Sequence, residues 1–226
     1  MPEIWARRWS ALECAGARYR GRVVKPLQLP FDPIARAAAI WERRFGPAAS
    51  MAAVTSIMRA QQILLAELDA VLRPYGLTFA RYEALVLLSF SRQGALPLGV
   101  LGERLMVHPT SVTNIIDRLE NQGLVARRRN PLDGRGRLAE ITRPGRDAVE
   151  RATADLMAAG FCMSGYDPQR LREIFAVLRG LRVSAGDFVP ADPGSSEDAE
   201  PGDPGAGEGS ASGLIEPEGP YTMWKR

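Results

Sequence analysis

The sequence predicts a mainly α fold that carries one short β-hairpin. Three observations predict it. Apolar residues recur at helical spacing through most of residues 32–184. A single stretch, LVARRRNPLDGRGRLAEIT (124–142), reads instead as two short strands around a glycine-containing turn. The third is size: 226 residues with 46% hydrophobic content suit one globular domain with appendages.

The elements follow in order. Residues 1–31 show no sustained period and are interrupted by Pro26 and Pro30, so they are expected to form a poorly structured N-terminal arm. Asp32 is a good N-cap and Pro33 suits the first helical position, where its missing N–H costs nothing. The helix they open, residues 32–45, lines Ile34, Ala38, Trp41 and Phe45 along one side and stops at Gly46-Pro47. A long amphipathic helix covers 50–73, ended by Arg73-Pro74-Tyr75-Gly76. Thr78 is expected to cap a third helix, 79–91, and 92–97 read as a loop.

A short helix at about 98–106, a tight link at Val107-His108 and a second helix at about 109–121 come next. Gly123 ends that second helix. The hairpin follows, with strands starting at Leu124-Val125-Ala126 and returning through Leu138-Ala139-Glu140-Ile141. Thr142 caps a long helix, about 143–162, and a last helix covers about 168–183. From 185 onward Pro, Gly, Ser and acids dominate, which predicts a disordered acidic tail over 185–226.

Charge divides the chain. The net charge of +3 combines a body, residues 1–184, at +10 with a tail at −7 that holds nine acids and only Lys225 and Arg226 as bases. A basic body points to a polyanionic partner. No run of about 18 apolar residues occurs, so no membrane span is expected. The two cysteines, Cys14 and Cys162, lie far apart and fit a reducing cytoplasm better than a disulfide framework.

The second helix of the pair, in VHPTSVTNIIDRLENQGL (107–124), has an unusual outer face. Val112, Ile115, Ile116 and Leu119 form its apolar side. After Pro109, the other side opens with Thr110, Ser111, Thr113 and Asn114, short polar residues that are poor helix formers. A short helix, a tight turn and a second helix make a helix-turn-helix, and a hairpin directly after it makes a winged helix, here about 78–141. In such a unit the second helix enters the DNA major groove. Short side chains let its backbone approach, Asn114 suits a bidentate pair with adenine, Thr110, Ser111 and Thr113 suit bases or phosphates, and Pro109 belongs to the same DNA-binding start of the helix. Arg118, a turn later, suits the DNA backbone.

The hairpin extends this reading. Arg127 and Arg129 lie on the strand entering the turn, and Asp133, Arg135 and Arg137 lie at or beside its tip. A narrow minor groove attracts an inserted arginine, and Asp133 can hold Arg135 outward.

At HPTSVTNIIDRLENQGLVARRRNPLDGRGRLAEITRPGR (108–146) the chain resembles the MarR family of bacterial transcriptional regulators, over roughly residues 32–184. The family wing usually reads Asp-Arg-Arg. Here it is Asp133-Gly134-Arg135, so one family phosphate contact is missing, with Arg137 placed to compensate. Many relatives carry Arg where this chain has Asn114, which implies a different DNA sequence. The resemblance implies a winged helix-turn-helix with a two-stranded β-wing and a helical dimerisation core, built from about 32–73 and 143–183 of two chains. The homodimer would bind a near-palindromic operator.

The family often releases DNA when a small anionic or phenolic effector enters a cleft between core and DNA-binding lobe. The extra helix with Trp41 looks like the subgroup that responds to urate or carboxylate metabolites. Ligand residues implied on this basis are Trp41, Arg59, Asp69, Arg81 and His108. The subgroup's urate sites use a recognition-helix arginine, and only Arg118 lies near Asn114 here. His108, the single histidine, can equally be a hinge, a ligand contact or neither.

An enzyme is not expected. The chain has no H-E-x-x-H zinc spacing and no glycine-rich phosphate loop, and no metal or cofactor is called for. The remaining alternative is an architectural DNA-binding protein with no small-molecule ligand. It would show a steep salt dependence and little preference among duplexes.

Overall fold

A computed structural model describes residues 28–130 and 136–190. Most of the expected arm, the wing tip with Asp133 and Arg135, and the tail beyond Pro190 lie outside the described residues. The chain divides into two compact units, Met1–Leu171 and Arg172–Arg226.

In the first unit, α1 (Pro33–Phe45) starts as its sequence dictates, with the Asp32 carboxylate accepting from the amides of Ile34 at 2.8 Å and Ala35 at 3.3 Å. Helix α2 (Ala49–Leu72) runs 24 residues and closes in a 3-10 turn, Arg73–Tyr75. Helix α3 (Phe79–Phe90) follows Thr78, but the expected Thr78 cap does not form. Asp69, from the last turn of α2, accepts from the Phe79 amide at 2.7 Å instead, and the Thr78 hydroxyl accepts from Arg81 Nε at 3.1 Å. A carboxylate attracts the positive end of a helix more strongly than a hydroxyl can.

Strand β1 (Ala95–Pro97) replaces part of the loop expected over 92–97. Three residues ending in proline carry no strand period of their own. They are extended because β3 offers them a free edge. Helices α4 (Leu98–Leu105) and α5 (Pro109–Asn121) form the helix-turn-helix. Strands β2 (Val125–Arg129) and β3 (Arg137–Ile141) form the hairpin. The sheet is therefore three-stranded and antiparallel, in the order β1-β3-β2, where two strands were expected. Leu96 lies opposite Ala139 on one side, and Arg127 lies opposite Ala139 on the other.

Helix α6 (Arg143–Ala158) stops four residues before the expected end. A 3-10 turn, Gly160–Cys162, with positive φ at Gly160, Phe161 and Cys162, breaks the helix there. Its start is locked onto the end of α5. Thr142 donates its hydroxyl to the Gly123 carbonyl at 2.7 Å and accepts from the Gly145 amide at 3.1 Å. A Cβ on Gly145 would stand 2.2 Å from the Leu124 carbonyl oxygen, so this close approach requires glycine. Helix α7 (Pro168–Ser184) runs into the second unit, where Arg179 and Arg182 place their guanidiniums 5.1 and 5.5 Å from the Phe188 ring.

The core of the first unit joins Leu68 and Leu72 of α2 to Leu85 and Leu88 of α3, Leu101 of α4, and Val112, Ile116 and Leu119 of α5. Val125, Ala139 and Ile141 of the sheet and Leu156 of α6 complete it. Each fully buried leucine or isoleucine contributes about 1.5–3 kcal/mol. No polar or charged residue is buried among the described residues.

Candidate nucleic-acid interface

Helix α5 is held by its apolar side and open on its polar side. Val112, Ile116 and Leu119 are fully buried, and Ile115 is half-buried. His108 acts as the N-cap, its Nδ1 accepting from the Thr110 amide at 3.3 Å, and Pro109 occupies the first turn. His108 is thus a helix-starting residue.

Two rows of side chains run along the rest of the helix. Thr110, Ser111, Asn114 and Arg118 are all exposed and, at spacings of three and four, form one continuous ridge. Thr113, Asp117 and Glu120 form the adjacent row, turned toward β2. The Thr113 hydroxyl donates to the Pro109 carbonyl at 3.2 Å.

The arginines of the hairpin separate into three groups. Arg127 points back at α5. Its guanidinium lies 2.5 Å from Asp117 and 2.7 Å from Glu120, and reaches the Thr113 carbonyl at 3.4 Å. Burial opposes its charge, but hydrogen bonds and Coulomb attraction from Asp117 and Glu120 outweigh this and raise its pKa. Arg128 pairs with Glu140 of β3. Arg129 and Arg137 face each other across the β2–β3 register, and both are exposed. Like charges placed directly opposite are unfavourable until an anion lies between them. A DNA phosphate is such an anion. A cleft of about 500 Å³ between α5 and the sheet is lined by Leu98, Thr113, Asp117, Glu120, Arg127 and Arg137.

The residues expected to bind a ligand scatter. Asp69 and Arg81 come together in a cleft of about 310 Å³ with Arg73, Gly76, Leu77 and Thr78. Arg81 is anchored there by the Gly76 carbonyl at 3.0 Å, which also accepts from Gln122 at the end of α5. Trp41 packs against Phe45 on α1 with ring centroids 4.9 Å apart and planes tilted by 54°, and Arg59 donates to Gln62 at 3.1 Å on α2. Those two and His108 do not line the cleft.

The sequence reading places Arg127 among the DNA contacts and does not single out Asp117 and Glu120, which meet its guanidinium here. The spacing carries the signal: 113, 117 and 120 share a helix face, and two neighbouring acids on one face attract a cation. Half-buried Cys162 has its thiol pushed up to about 11 by burial and by the Glu67 carboxylate, so it is not a thiolate nucleophile at neutral pH. Among the described residues no cluster of His, Cys, Asp and Glu could hold a metal ion, and no helix is long and apolar enough to cross a membrane.

A helix-turn-helix whose second helix shows an open polar ridge, flanked by a basic hairpin, defines a winged helix DNA-binding regulator. Residues 75–136 match the family model described as MarR family. The chain is 65% identical to Sco5413, a MarR family transcriptional regulator from Streptomyces coelicolor, covering 63% of this chain and 99% of that structure with a TM-score of 0.59. It is 33% identical over 103 residues to the HTH-type transcriptional repressor Rv2887 of Mycobacterium tuberculosis, covering 46% of this chain and 73% of the relative. Sco3205 from S. coelicolor, solved in complex with DNA, shares the fold at 23% identity and a TM-score of 0.57, over 68% of this chain and 96% of that one. The chain belongs to the MarR family of transcriptional regulators, and these relatives are regulators rather than enzymes.

Proposed function

We propose that the chain is a ligand-responsive repressor that binds a near-palindromic operator as a homodimer, in the cytoplasm where bacterial DNA lies. The observation that carries the reading is the ridge of Thr110, Ser111, Asn114 and Arg118, exposed on a helix whose opposite face is fully buried. Asn114 stands mid-ridge, suited to adenine, with Arg118 and the Arg129–Arg137 pair suited to phosphates on either side. The homodimer is supported by helix α1, which buries no residue and leaves Ile40, Trp41 and Phe45 exposed. Helix α2 likewise exposes Val54, Ile57 and Met58. A second copy would cover such surfaces and set two α5 helices about one DNA turn, 34–36 Å, apart. A small anionic or phenolic effector is supported by the cleft where Arg73 and Arg81 flank Asp69 beside the Gly76–Gln122 link to α5.

Fluorescence anisotropy with the DNA upstream of the protein's own gene tests the reading. A preference of about 10³-fold or more over random duplex is expected. Loss of that preference on adding a phenolic or carboxylate metabolite would support the effector. Equal affinity for all duplexes would leave the architectural reading instead.

A further inference from the structure

We propose that Arg127 is a positioning residue and not a DNA contact: with Asp117 and Glu120 it clamps the incoming strand of the wing to the recognition helix and so sets the angle at which the two meet DNA. The inference rests on the operator-binding reading given above.

Four interactions converge on one residue. The Arg127 guanidinium meets Asp117 at 2.5 Å, Glu120 at 2.7 Å and the Thr113 carbonyl at 3.4 Å, and its own amide donates to Glu120 Oε1 at 3.2 Å. Main chain and side chain of one strand residue are therefore both tied to three successive positions of one helix face. The Arg127 side chain is 20% exposed, against 68% for Arg128, whose partner Glu140 lies on the sheet itself. With both terminal nitrogens of its planar fork already engaged by Asp117, Glu120 and the Thr113 carbonyl, Arg127 has its two-nitrogen edge committed within the chain.

The acids need the clamp as much as the strand does. Asp117 and Glu120 stand one row from Asn114 on the helix that approaches a polyanion. Without a cation between them they would repel the DNA that the neighbouring ridge binds. Arg127 removes that repulsion and fixes the strand in one step. Thr113 ties the clamp to the reading ridge, since its carbonyl belongs to the peptide that leads into Asn114. Side chains that bind must be held by a supporting shell, and a loose shell costs specificity before it costs fold.

The test is a sign test. Asp117→Asn removes a negative charge from a DNA-facing helix, so electrostatics alone would tighten binding to every duplex. The clamp predicts the reverse for the specific site. For a duplex selected from a random-sequence pool by the wild-type chain, affinity should fall about tenfold, while affinity for random duplex of equal length holds or rises. Arg127→Gln should lower the specificity ratio similarly, with the slope of log K against log salt unchanged. A lost phosphate contact would reduce that slope by about 0.9. Arg127→Lys, which keeps the charge but loses the fork, should fall between. The reversed pair Asp117→Arg/Arg127→Asp should recover most of the selectivity that Arg127→Asp alone loses.

Amide hydrogen exchange at 125–129 reads the clamp without DNA and should speed up about tenfold in Asp117→Asn at an unchanged melting temperature. Tighter operator binding by Asp117→Asn, a salt slope reduced by about one in Arg127→Gln, or unaltered exchange at 125–129 would each overturn the proposal. A wild-type chain that selects no duplex would overturn the operator reading instead, and exchange at 125–129 would still decide the clamp.

Discussion

Helices α1 and α5 are built alike and end up differently. Each has 13 residues, starts from a capping residue followed by proline, and carries an apolar stripe opposite a polar one. Helix α5 buries Val112, Ile116 and Leu119 completely, whereas α1 buries nothing and keeps Phe45 at 71% exposure. Helices of about 12–15 residues are marginal in water without packing. The stripe of α5 is matched by the leucines of α2, α3 and α4 within the same chain. Among the described residues the stripe of α1 packs mainly against α2, whose outer face is itself apolar and open. An amphipathic pattern thus specifies that a face will be covered, not what covers it. Where the described residues supply no cover, a second molecule is a natural candidate.

Substitutions can break this comparison. The largest effect is expected from Ile116→Ala, which should lower unfolding free energy by about 2–5 kcal/mol in urea titrations. Trp41→Ala on α1, measured at low protein concentration, should cost well under that amount. Equal losses would mean that α1 is as much a part of the folded chain as α5. Next comes the polar side. Asn114→Ala should cost about 1–3 kcal/mol of discrimination between operator variants while leaving the melting temperature in place. Unaltered discrimination would remove Asn114 from the reading set.

The apolar side of α1 answers to a different measurement. Phe45→Glu should weaken self-association by about tenfold or more, near 1.4 kcal/mol, as read by sedimentation equilibrium. A monomeric wild type, or a variant that associates equally well, would dissolve the contrast between the helices. The smallest effect belongs to the wing. Arg137→Ala should weaken all duplexes alike and reduce the salt slope by about 0.9. A slope that stays put would place β3 away from the phosphates.

Much of the site was legible in the sequence because it is local. Polar residues at 110, 111 and 114 and apolar ones at 112, 116 and 119 lie within four turns of one helix, so period alone sorts them onto opposite faces. His108 was less legible, because a histidine before a proline has no single meaning until its ring nitrogen meets the Thr110 amide. The implied ligand residues scattered for a related reason. Trp41, Arg59 and His108 share no local pattern, and only Asp69 and Arg81 share a cleft.

By itself the sequence determined the order and ends of nearly every helix, the hairpin, the polar ridge of α5 and the basic body. These follow from caps, prolines, glycines and apolar period, which act over a few residues. Tertiary structure decided the rest. It made β1 a strand by lending it the edge of β3, gave the cap of α3 to Asp69 instead of Thr78, and stopped α6 at the turn around Gly160. It also turned Arg127 toward α5 while Arg128 stayed on the other face with Glu140, though both stand in one run of three arginines. A strand alternates its side chains, but which side meets two carboxylates depends on how α5 lies against β2. That is a relation between segments, and no single segment contains it.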